Sequence, residues 1–363
     1  MNKKIALYVP SLRGGGAERV MVNLSKGFSE RGYHVDLVLA EATGPYLSQV
    51  PPSVRVVDLK SNRVLKSLFP LVNYLREENP DVLISALNHA NLIAIFAKQL
   101  ARSRVRLIIT EHNMLSLSQE HAQNKRSKLL PILMKHFYPT ADQVVAVSKG
   151  VAEDLSNQIG LPLDKIKVIY NPVIDERLIH KSWEKVENPW FQDPQTPVIL
   201  SVGRLTEPKD HSTLIKAFAK VREKIPAKLV ILGEGEKRLE LEQLVDTLEL
   251  KEDVWMPGFV ENPYAYMRRA NVFVLSSKWE GFGNVIIEAL ACGCQVISTD
   301  CPSGPSEILE GGKWGRLVPV GNVDAMAKAI MLSLNEPRDT GIERAKCFSL
   351  KEMLVQYEKI FDT

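Results

Sequence analysis

Residues 198–224 have the sequence VILSVGRLTEPKDHSTLIKAFAKVREK, and this stretch decides the fold class. Its first five residues are apolar enough for a buried strand, a loop with glycine and proline follows, and the apolar spacing from residue 211 onward is that of an amphipathic helix. The same order of strand, loop and helix continues to residue 298. This alternation predicts a parallel sheet covered by helices on both faces.

The first half of the chain repeats the pattern. It begins with a predicted strand at residues 5–9, a helix at 17–31 that ends at Gly32, and a second strand at 35–40. Four more strands are predicted, at residues 54–59, 82–86, 106–110 and 143–148. The first half therefore also predicts a parallel, doubly wound sheet.

Residues 171–197 interrupt the alternation with prolines and two tryptophans, and we interpret them as a connection between domains. We therefore predict an α/β protein with two doubly wound domains, residues 1–172 and 173–349. Ligands of such sheets bind outside the carboxyl ends of the strands, so we expect the domains to face each other across a cleft. An amphipathic helix within residues 350–363 is predicted to cross back to the first domain.

Composition excludes several classes of protein. The 363 residues, with 45% hydrophobic and 25% charged, are typical of a globular chain with two domains. The four cysteines lack the spacing of a disulfide scaffold, which favours a reducing compartment. The apolar run after Lys4 ends at Pro10, and no run reaches about 18 apolar residues, so we expect a cytoplasmic protein without a signal peptide or membrane span.

A glycine-containing motif, EGFGNVIIE at residues 280–288, follows the predicted strand at 272–276. Its glycines permit close approach of a ligand to the backbone, and the helix that begins there presents the positive end of its dipole, which favours an anion. Glu280 and Glu288 carry carboxylates suited to sugar and ribose hydroxyls. The alternative is a glycine-rich turn with a solvated Glu280 and a helix-stabilising Glu288.

A second motif, SVGRLTEPKD at residues 201–210, follows the first strand of the second domain. Arg204 can bind a phosphate through two parallel hydrogen bonds, and Lys209 adds a mobile point charge. Together they can offset the charge that develops on a departing diphosphate. A single loop cation more commonly has no such role, but both motifs lie at carboxyl ends of strands in one domain.

The first domain has two candidate sites. The glycines at 14–16 lie between a strand and a helix as in a dinucleotide-binding motif, with Glu41 at the position of the ribose-binding acid. Arg19 departs from that motif, because its bulk hinders close packing of helix on strand, and the loop is equally suited to approach donor phosphate or acceptor. His112, after the strand at 106–110, is either a contact of the transferred sugar or acceptor, or a structural histidine.

Two motifs are absent from the sequence. It contains no Asp-x-Asp, and no set of His, Cys, Asp and Glu has the spacing of metal ligands, so we expect a site without a metal. It also lacks the G-x-x-x-x-G-K-[ST] motif, which argues against a P-loop NTPase.

Taken together, these motifs resemble the retaining glycosyltransferases of family 4, which have the GT-B fold of two Rossmann-like domains. The resemblance runs nearly the whole length of the chain, and the combination is specific. The stretches that carry it are Gly14-Gly15-Gly16-Ala17-Glu18-Arg19, Glu111-His112-Asn113, Ile169-Tyr170-Asn171-Pro172-Val173, Val202-Gly203-Arg204 with Lys209, Leu232-Gly233-Glu234-Gly235, Pro257-Gly258-Phe259, and the pair Glu280 and Glu288.

The resemblance implies roles for the matching residues. Arg204 and Lys209 would bind the donor diphosphate, Glu280 the donor sugar and Glu288 the ribose. His112 would complete the catalytic set from the first domain. The other implied donor-binding residues are Gly15, Gly16, Gly203, Gly233, Phe282, Gly283, Asn284 and Val285, with Val260 and Asn262 near the base.

The resemblance also implies the reaction, which is transfer of a hexose or N-acetylhexosamine from a UDP-sugar or GDP-mannose with retained anomeric configuration and no metal or other cofactor. Residues 10–19 and 301–308 look most like bacterial members that act on polyprenyl-diphosphate-linked or surface glycans. The alternatives are a nucleotide-sugar epimerase of the same architecture, an NAD-dependent oxidoreductase and a non-catalytic sugar-nucleotide-binding protein. None of these involves a nucleic acid.

Charge is unevenly distributed along the chain. Residues 1–174 carry 22 lysines and arginines against 14 acidic residues, a net charge of +8, and the remainder carries −5. Lys125, Arg126 and Lys128 precede an apolar run, which predicts contact with anionic lipid at the inner face of the membrane or with the diphosphate of a lipid-linked acceptor. A core-facing helix with a solvated basic end is the alternative, and Pro131 weakens the amphipathic pattern.

Overall fold

The computed structural model describes residues 3–120, 129–337 and 341–362. The chain divides into two compact units, one formed by Met1–Val173 with Leu350–Thr363 and the other by Ile174–Ser349. Each unit is a parallel α/β sheet with helices on its faces, so the predicted fold class is confirmed.

The first unit contains a seven-stranded parallel sheet with the strand order β3-β2-β1-β4-β5-β6-β7. Its strands are β1 Lys4–Val9, β2 His34–Leu39, β3 Arg55–Asp58, β4 Val82–Ala86, β5 Arg106–Glu111, β6 Gln143–Ala146 and β7 Ile166–Val168. Its helices are α1 Gly16–Glu30, α2 Leu68–Glu78, α3 Asn88–Ala101, α4 Leu115–Glu120, α5 Leu129–Phe137 and α6 Lys149–Ile159.

The second unit contains a six-stranded parallel sheet with the order β10-β9-β8-β11-β12-β13. Its strands are β8 Val198–Val202, β9 Lys228–Leu232, β10 Val254–Gly258, β11 Val272–Leu275, β12 Gln295–Thr299 and β13 Arg316–Val318. Its helices are α7 Glu176–Ser182, α8 His211–Arg222, α9 Arg238–Thr247, α10 Pro263–Arg269, α11 Asn284–Ala291, α12 Pro305–Ile308, α13 Val323–Asn335 and α14 Ile342–Lys346.

The chain ends in helix α15, Leu350–Glu358, which belongs to the first unit as predicted. It packs on α1, and its buried side chains Met353, Leu354 and Tyr357 join the core of that unit. A Cβ on Gly27 of α1 would lie 2.5 Å from Leu354 Cδ1, so the two helices approach closely where that glycine has no side chain.

The segment interpreted as a connection contains a helix that the sequence did not reveal, α7. Its carboxyl end packs on α10, where the Nδ2 of Asn262 donates to the carbonyl of Lys181 at 2.9 Å and to Glu184 Oε2 at 2.7 Å. Much of the segment is therefore part of the second unit.

The basic segment of the first unit is described only in part. Lys125, Arg126 and Lys128 lie outside the described residues. In α5, Met134 is buried while Leu129 and Ile132 are each 54% exposed, so the described part of the run faces both core and solvent. Pro131 is the third residue of α5 as the structure describes it. In the part of the chain that the structure describes, no helix has the length and apolarity to cross a bilayer.

Candidate active site

The loops after β8 and β11 meet in the second unit because these strands are neighbours although 70 residues apart in sequence. The order of strands reverses here, and such a switch point opens a crevice at the carboxyl edge of the sheet. The backbone N–H of Lys278 donates to the carbonyl of Pro208 at 2.7 Å, and the hydroxyl of Ser276 donates to the carbonyl of Lys209 at 2.8 Å. The loops that carry the two predicted motifs are therefore held side by side at this edge of the sheet.

Lys209 and Glu280 form an ion pair within this site, with 2.5 Å between Nζ and Oε1. The hydroxyl of Ser277 donates to the same oxygen at 2.6 Å. Both side chains are largely buried, at 20% and 10% exposure. Glu280 Oε2 makes no hydrogen bond with the side chains and backbone that are described, so this oxygen remains open to a hydroxyl of a ligand.

Arg204 lies on a loop whose backbone is fixed by hydrogen bonds to the loop after β9. Leu205 is fully buried, its N–H donates to the carbonyl of Glu234 at 2.9 Å, and its carbonyl accepts from the N–H of Lys237 at 2.9 Å. The guanidinium of Arg204 is exposed and forms no ion pair with the residues that the structure describes. A fixed backbone with an uncompensated cation is suited to an incoming anion.

Gly203 and Gly233 place two loops in backbone contact. A Cβ at Gly233, whose φ is +152°, would lie 1.9 Å from the Gly203 carbonyl oxygen, and a Cβ at Gly235 would lie 2.3 Å from the Leu205 carbonyl oxygen. Gly233 and Gly235 therefore allow the loop after β9 to support the loop that carries Arg204. This packing contribution is separate from the donor-binding role that the resemblance implies for Gly203 and Gly233.

The helix α11 begins beside the pair of Lys209 and Glu280. Gly283 precedes it with φ at +97°, a left-handed conformation that favours glycine, and Asn284 and Val285 form its first turn. Phe282 is buried and fixes the loop, while Glu288 lies half-buried one turn into the helix. The amino end of α11 thus directs its positive dipole toward the carboxyl edge that carries Lys209.

The loop after β12 contacts and supports the turn that precedes α11. The sequence motifs did not reveal this role. The Ser303 hydroxyl donates to the Gly281 carbonyl at 2.8 Å. A Cβ on Gly304 would lie 1.8 Å from the Phe282 carbonyl oxygen. The Pro-Ser-Gly-Pro sequence at residues 302–305 is typical of a turn and follows a strand, so it could have predicted a turn at this edge of the sheet.

Val260 and Asn262 follow β10 at the same carboxyl edge, but their surroundings differ from those of Arg204. Val260 is half-buried. The amide donors of Asn262 bind Lys181 and Glu184, as described above, and its Oδ1 is buried. The side chain of Asn262 therefore stabilises the contact of α7 with α10, and its prediction as a base contact remains untested.

In the first unit the glycine loop caps a helix. Gly15 precedes α1, its N–H donates to the carboxylate of Glu18, and Gly16 is the first helical residue. Arg19 stacks on the Tyr46 ring with its Cζ 4.0 Å from the centroid. Glu41, which a dinucleotide site would need for a ribose, instead forms an ion pair with Arg13 at 2.7 Å.

His112 directly follows the carboxyl end of β5 and is buried, with 7% of its surface exposed. The Thr110 hydroxyl donates its proton to the Ser85 carbonyl at 2.9 Å, so its oxygen accepts from His112 Nε2–H, also at 2.9 Å. That bond leaves Nδ1 as an acceptor, which has no partner among the described residues. Burial lowers the pKa of His112 to about 4, which keeps the ring neutral at pH 7.

Comparison with known proteins assigns the family. Two family models match the chain, "Glycosyltransferase Family 4" over residues 14–177 and "Glycosyl transferases group 1" over residues 184–348. A 4-alpha-N-acetylgalactosaminyltransferase of Campylobacter jejuni, named as acting on N-acetylgalactosamine-N,N'-diacetylbacillosaminyl-diphospho-undecaprenol, is 34% identical over 93% of this chain and 91% of its own. The chain belongs to glycosyltransferase family 4.

Other proteins similar to this glycosyltransferase differ in their named activities. N-acetyl-alpha-D-glucosaminyl L-malate synthase of Bacillus anthracis is 26% identical over 97% of this chain and 94% of its own. Sucrose-phosphate synthase of Thermosynechococcus elongatus superposes with a TM-score of 0.84 at 21% identity, covering 99% and 98% of the two chains. Anabaena HepE, in complex with UDP and glucose, superposes with a TM-score of 0.82 at 22% identity over both whole chains. These structures show the GT-B fold.

Acid is expected to destabilise the second unit of the glycosyltransferase through His211. Burial lowers the pKa of His211 to about 4, and the charge of Lys209 contributes in the same direction. As the pH falls, the imidazole of His211 binds a proton at about pH 6.5 in the unfolded chain but only near pH 4 in the folded chain. The free energy of unfolding is therefore unaffected above about pH 6.5 and falls by up to about 3 kcal/mol as the pH approaches 4. Amide hydrogen exchange of β8 and β9 at about pH 7.5 and about pH 5 measures the loss.

His211→Asn is the control for this prediction, because it removes the titrating group. The variant should lose much of the acid dependence of exchange in β8 and β9, and an unchanged dependence would contradict the assignment. The first unit should respond less, since burial raises the pKa of Glu111 to about 7. Because of that shift, the free energy of unfolding of the first unit rises as the pH falls from about 7 to 4.5. This rise opposes the decrease caused by the lowered pKa of His112.

Proposed function

We propose that this enzyme transfers a hexose or N-acetylhexosamine, with retention of anomeric configuration and without a divalent metal, from a UDP-sugar to a polyprenyl-diphosphate-linked glycan. GDP-mannose is the second donor to consider. The observation that carries the proposal is the pair of Lys209 and Glu280 beside Arg204 and the amino end of α11. It combines positive charge for a diphosphate with an open carboxylate oxygen for a sugar hydroxyl.

The positive groups would take the charge of the leaving group. When the bond between the anomeric carbon and the diphosphate breaks, negative charge develops on the departing oxygen. The ammonium of Lys209 and the backbone of the loop that carries Arg204 are held in place before the donor arrives, which limits the reorganisation needed to stabilise this charge. The dipole of α11 adds to this effect. These groups supply the function that a divalent cation serves in other sites for diphosphates.

Glu280 would orient the donor sugar. Its Oε1 accepts from Lys209 and Ser277, which fixes the carboxylate and leaves Oε2 for a sugar hydroxyl. We assign Glu280 to hydroxyl binding and not to covalent catalysis. The acceptor oxygen would then attack the anomeric carbon from the face that the diphosphate leaves, and its proton would pass to the departing phosphate oxygen.

Several further residues are proposed for binding. His112 Nδ1 would accept a hydrogen bond from a hydroxyl of the transferred sugar or acceptor, Glu288 would bind the ribose, and Val260 and Asn262 would lie near the base. The named acceptor of the Campylobacter jejuni relative, a diphospho-undecaprenol-linked sugar, supports the acceptor class. The UDP complexes of HepE support a UDP-sugar donor. Contact with anionic membrane belongs to the same proposal, because such acceptors are membrane-bound.

A donor screen tests the proposal. Release of nucleoside diphosphate is measured for UDP- and GDP-sugars with and without a polyprenyl-diphosphate-linked acceptor, in EDTA, and the anomeric configuration of the product is determined by NMR. We expect release that depends on acceptor, persists in EDTA and gives the α-linked product from an α-linked donor. Isomerisation of the donor without acceptor would instead indicate an epimerase, and loss of activity in EDTA would exclude the metal-independent mechanism.

A further inference from the structure

Leu65 and Phe69 are the most exposed large apolar side chains that the structure describes in the first unit, at 74% and 69% exposure. Leu65 lies in the 3-10 turn Val64–Ser67, and Phe69 is the second residue of α2, which continues that turn. Side chains four residues apart in helical backbone lie on one face. The two side chains therefore form one apolar projection into solvent.

The projection is held in place by a buried hydrogen bond. The hydroxyls of Tyr8 and Ser67 lie 2.6 Å apart, and both side chains are enclosed by the core of the first unit. Burial raises the pKa of Tyr8 to about 12, so its hydroxyl stays protonated. Ser67 also donates to the Val64 carbonyl at 2.6 Å. The turn is thus anchored to β1, with its apolar residues outward.

Positively charged residues lie close to Leu65 and Phe69 in the sequence. Lys60, Arg63 and Lys66 are exposed, and residues 59–76 contain no aspartate or glutamate. None of the three cations is in an ion pair with the acidic side chains that the structure describes. We call Lys60, Arg63, Leu65, Lys66 and Phe69 the basic apolar surface. Its charge is complementary to an anionic surface, and its apolar residues suit the region of lipid headgroups and upper acyl chains.

The position of this surface in the fold relates it to the binding edge of the first unit. The turn follows β3 and precedes α2, so it lies at the carboxyl edge of the parallel sheet. The loops after β1 and β5, which carry Gly15 and His112, end at the same edge. Helix α5 ends shortly before β6 and therefore near the amino edge of the sheet. Its start, where Leu129 and Ile132 are half-exposed, accordingly lies toward the carboxyl edge.

We propose that the basic apolar surface docks this enzyme on an anionic phospholipid bilayer, with Leu65 and Phe69 inserted at the level of the headgroups. The inference rests on the proposed lipid-linked acceptor. It assigns the contact to residues 60–69, a segment separate from the cations at 125–128. Insertion at the carboxyl edge would bring the loops that carry Gly15 and His112 toward a diphosphate-linked glycan at the membrane surface.

Vesicle co-sedimentation of the full chain tests the docking. The vesicles are phosphatidylcholine alone or with about one third phosphatidylglycerol. Wild-type protein should bind the anionic vesicles, and Leu65→Gln with Phe69→Gln should weaken binding at least about 10-fold through lost apolar burial. Lys60→Gln, Arg63→Gln and Lys66→Gln should each weaken it about fivefold, and only for anionic vesicles.

Leu163→Gln is the matched control, since Leu163 is 53% exposed but lies just before β7, at the amino edge of the same sheet. It should bind vesicles as the wild type does. Equal binding by the double variant, or equal loss in Leu163→Gln, would overturn the proposal. Concentration-dependent dimerisation that only the double variant abolishes, without vesicle binding by the wild type, would assign the surface to a second copy.

Activity distinguishes this inference from the proposed function. The double variant should keep transfer to a detergent-solubilised acceptor, but lose transfer to acceptor embedded in anionic vesicles. A protein that binds vesicles through Leu65 and Phe69 yet transfers no sugar would refute the proposed function and leave the docking intact. Full transfer at vesicles by the double variant would refute the docking alone.

Discussion

Lys209→Ala is expected to lower kcat by about 100-fold, with a smaller change in the KM for the donor. The ammonium of Lys209 is fixed by Glu280 before the donor binds, so it stabilises the charge of the departing diphosphate more than that of the ground state. Arg204→Ala should have an effect of similar size. Steady-state kinetics of nucleoside diphosphate release measures both.

Lys278→Ala is the matched control for these variants. Lys278 lies on the same loop as Glu280, but its ammonium pairs with the exposed Glu207, and its backbone bond to Pro208 survives the substitution. Its kcat should stay within about twofold of the wild type, since an exposed ion pair contributes little. Normal turnover in both Arg204→Ala and Lys209→Ala would refute the assignment of the leaving-group site.

Gly304→Ala is expected to weaken nucleotide binding by about 10-fold or more. The added methyl group would lie 1.8 Å from the Phe282 carbonyl oxygen, so the turn before α11 must move. Since the amino end of α11 is the proposed diphosphate contact, a displacement of about 1 Å is enough to lose much of its interaction. Titration calorimetry with UDP measures the affinity, and thermal unfolding measures the accompanying loss of stability.

Gly312→Ala distinguishes the effect of a displaced turn on nucleotide affinity from the effect of backbone strain alone. Gly312 has φ at +101°, similar to +86° at Gly304, but a Cβ there would meet nothing within 4 Å. Both variants therefore place alanine at a positive φ, and only Gly304→Ala displaces the Phe282 carbonyl. Equal nucleotide affinity in the two variants would contradict the bracing role of the loop after β12.

The sequence predicted the long strands well and missed the short ones. β7 and β13 have three residues each and lie at the edges of their sheets, where a strand is paired on one side only. Three residues carry too little apolar pattern to distinguish a strand from a loop. Helix α7 was also missed, because the spacing of apolar residues in its segment does not predict a helix. Only the structure shows its packing on α10.

For the candidate site, the sequence predicted the residue types and the loops that carry them. It did not reveal that Ser277 and Lys209 bind the same oxygen of Glu280, or that Ser303 and Gly304 brace the turn before α11. It also left open whether the glycines at 14–16 form a dinucleotide site. The pairing of Arg13 with Glu41 and the stacking of Arg19 on Tyr46 show how those side chains are used in the first unit.

The sequence by itself determined the alternation of strands and helices, and thereby placed Arg204, Lys209 and Glu280 at carboxyl ends of parallel strands. Only the tertiary structure decided which of those ends are neighbours. β8 pairs with β11 and not only with the next strand in sequence, so two loops 71 residues apart share one ion pair. Local periodicity reports burial of each strand, whereas the order of strands depends on the packing of the whole sheet.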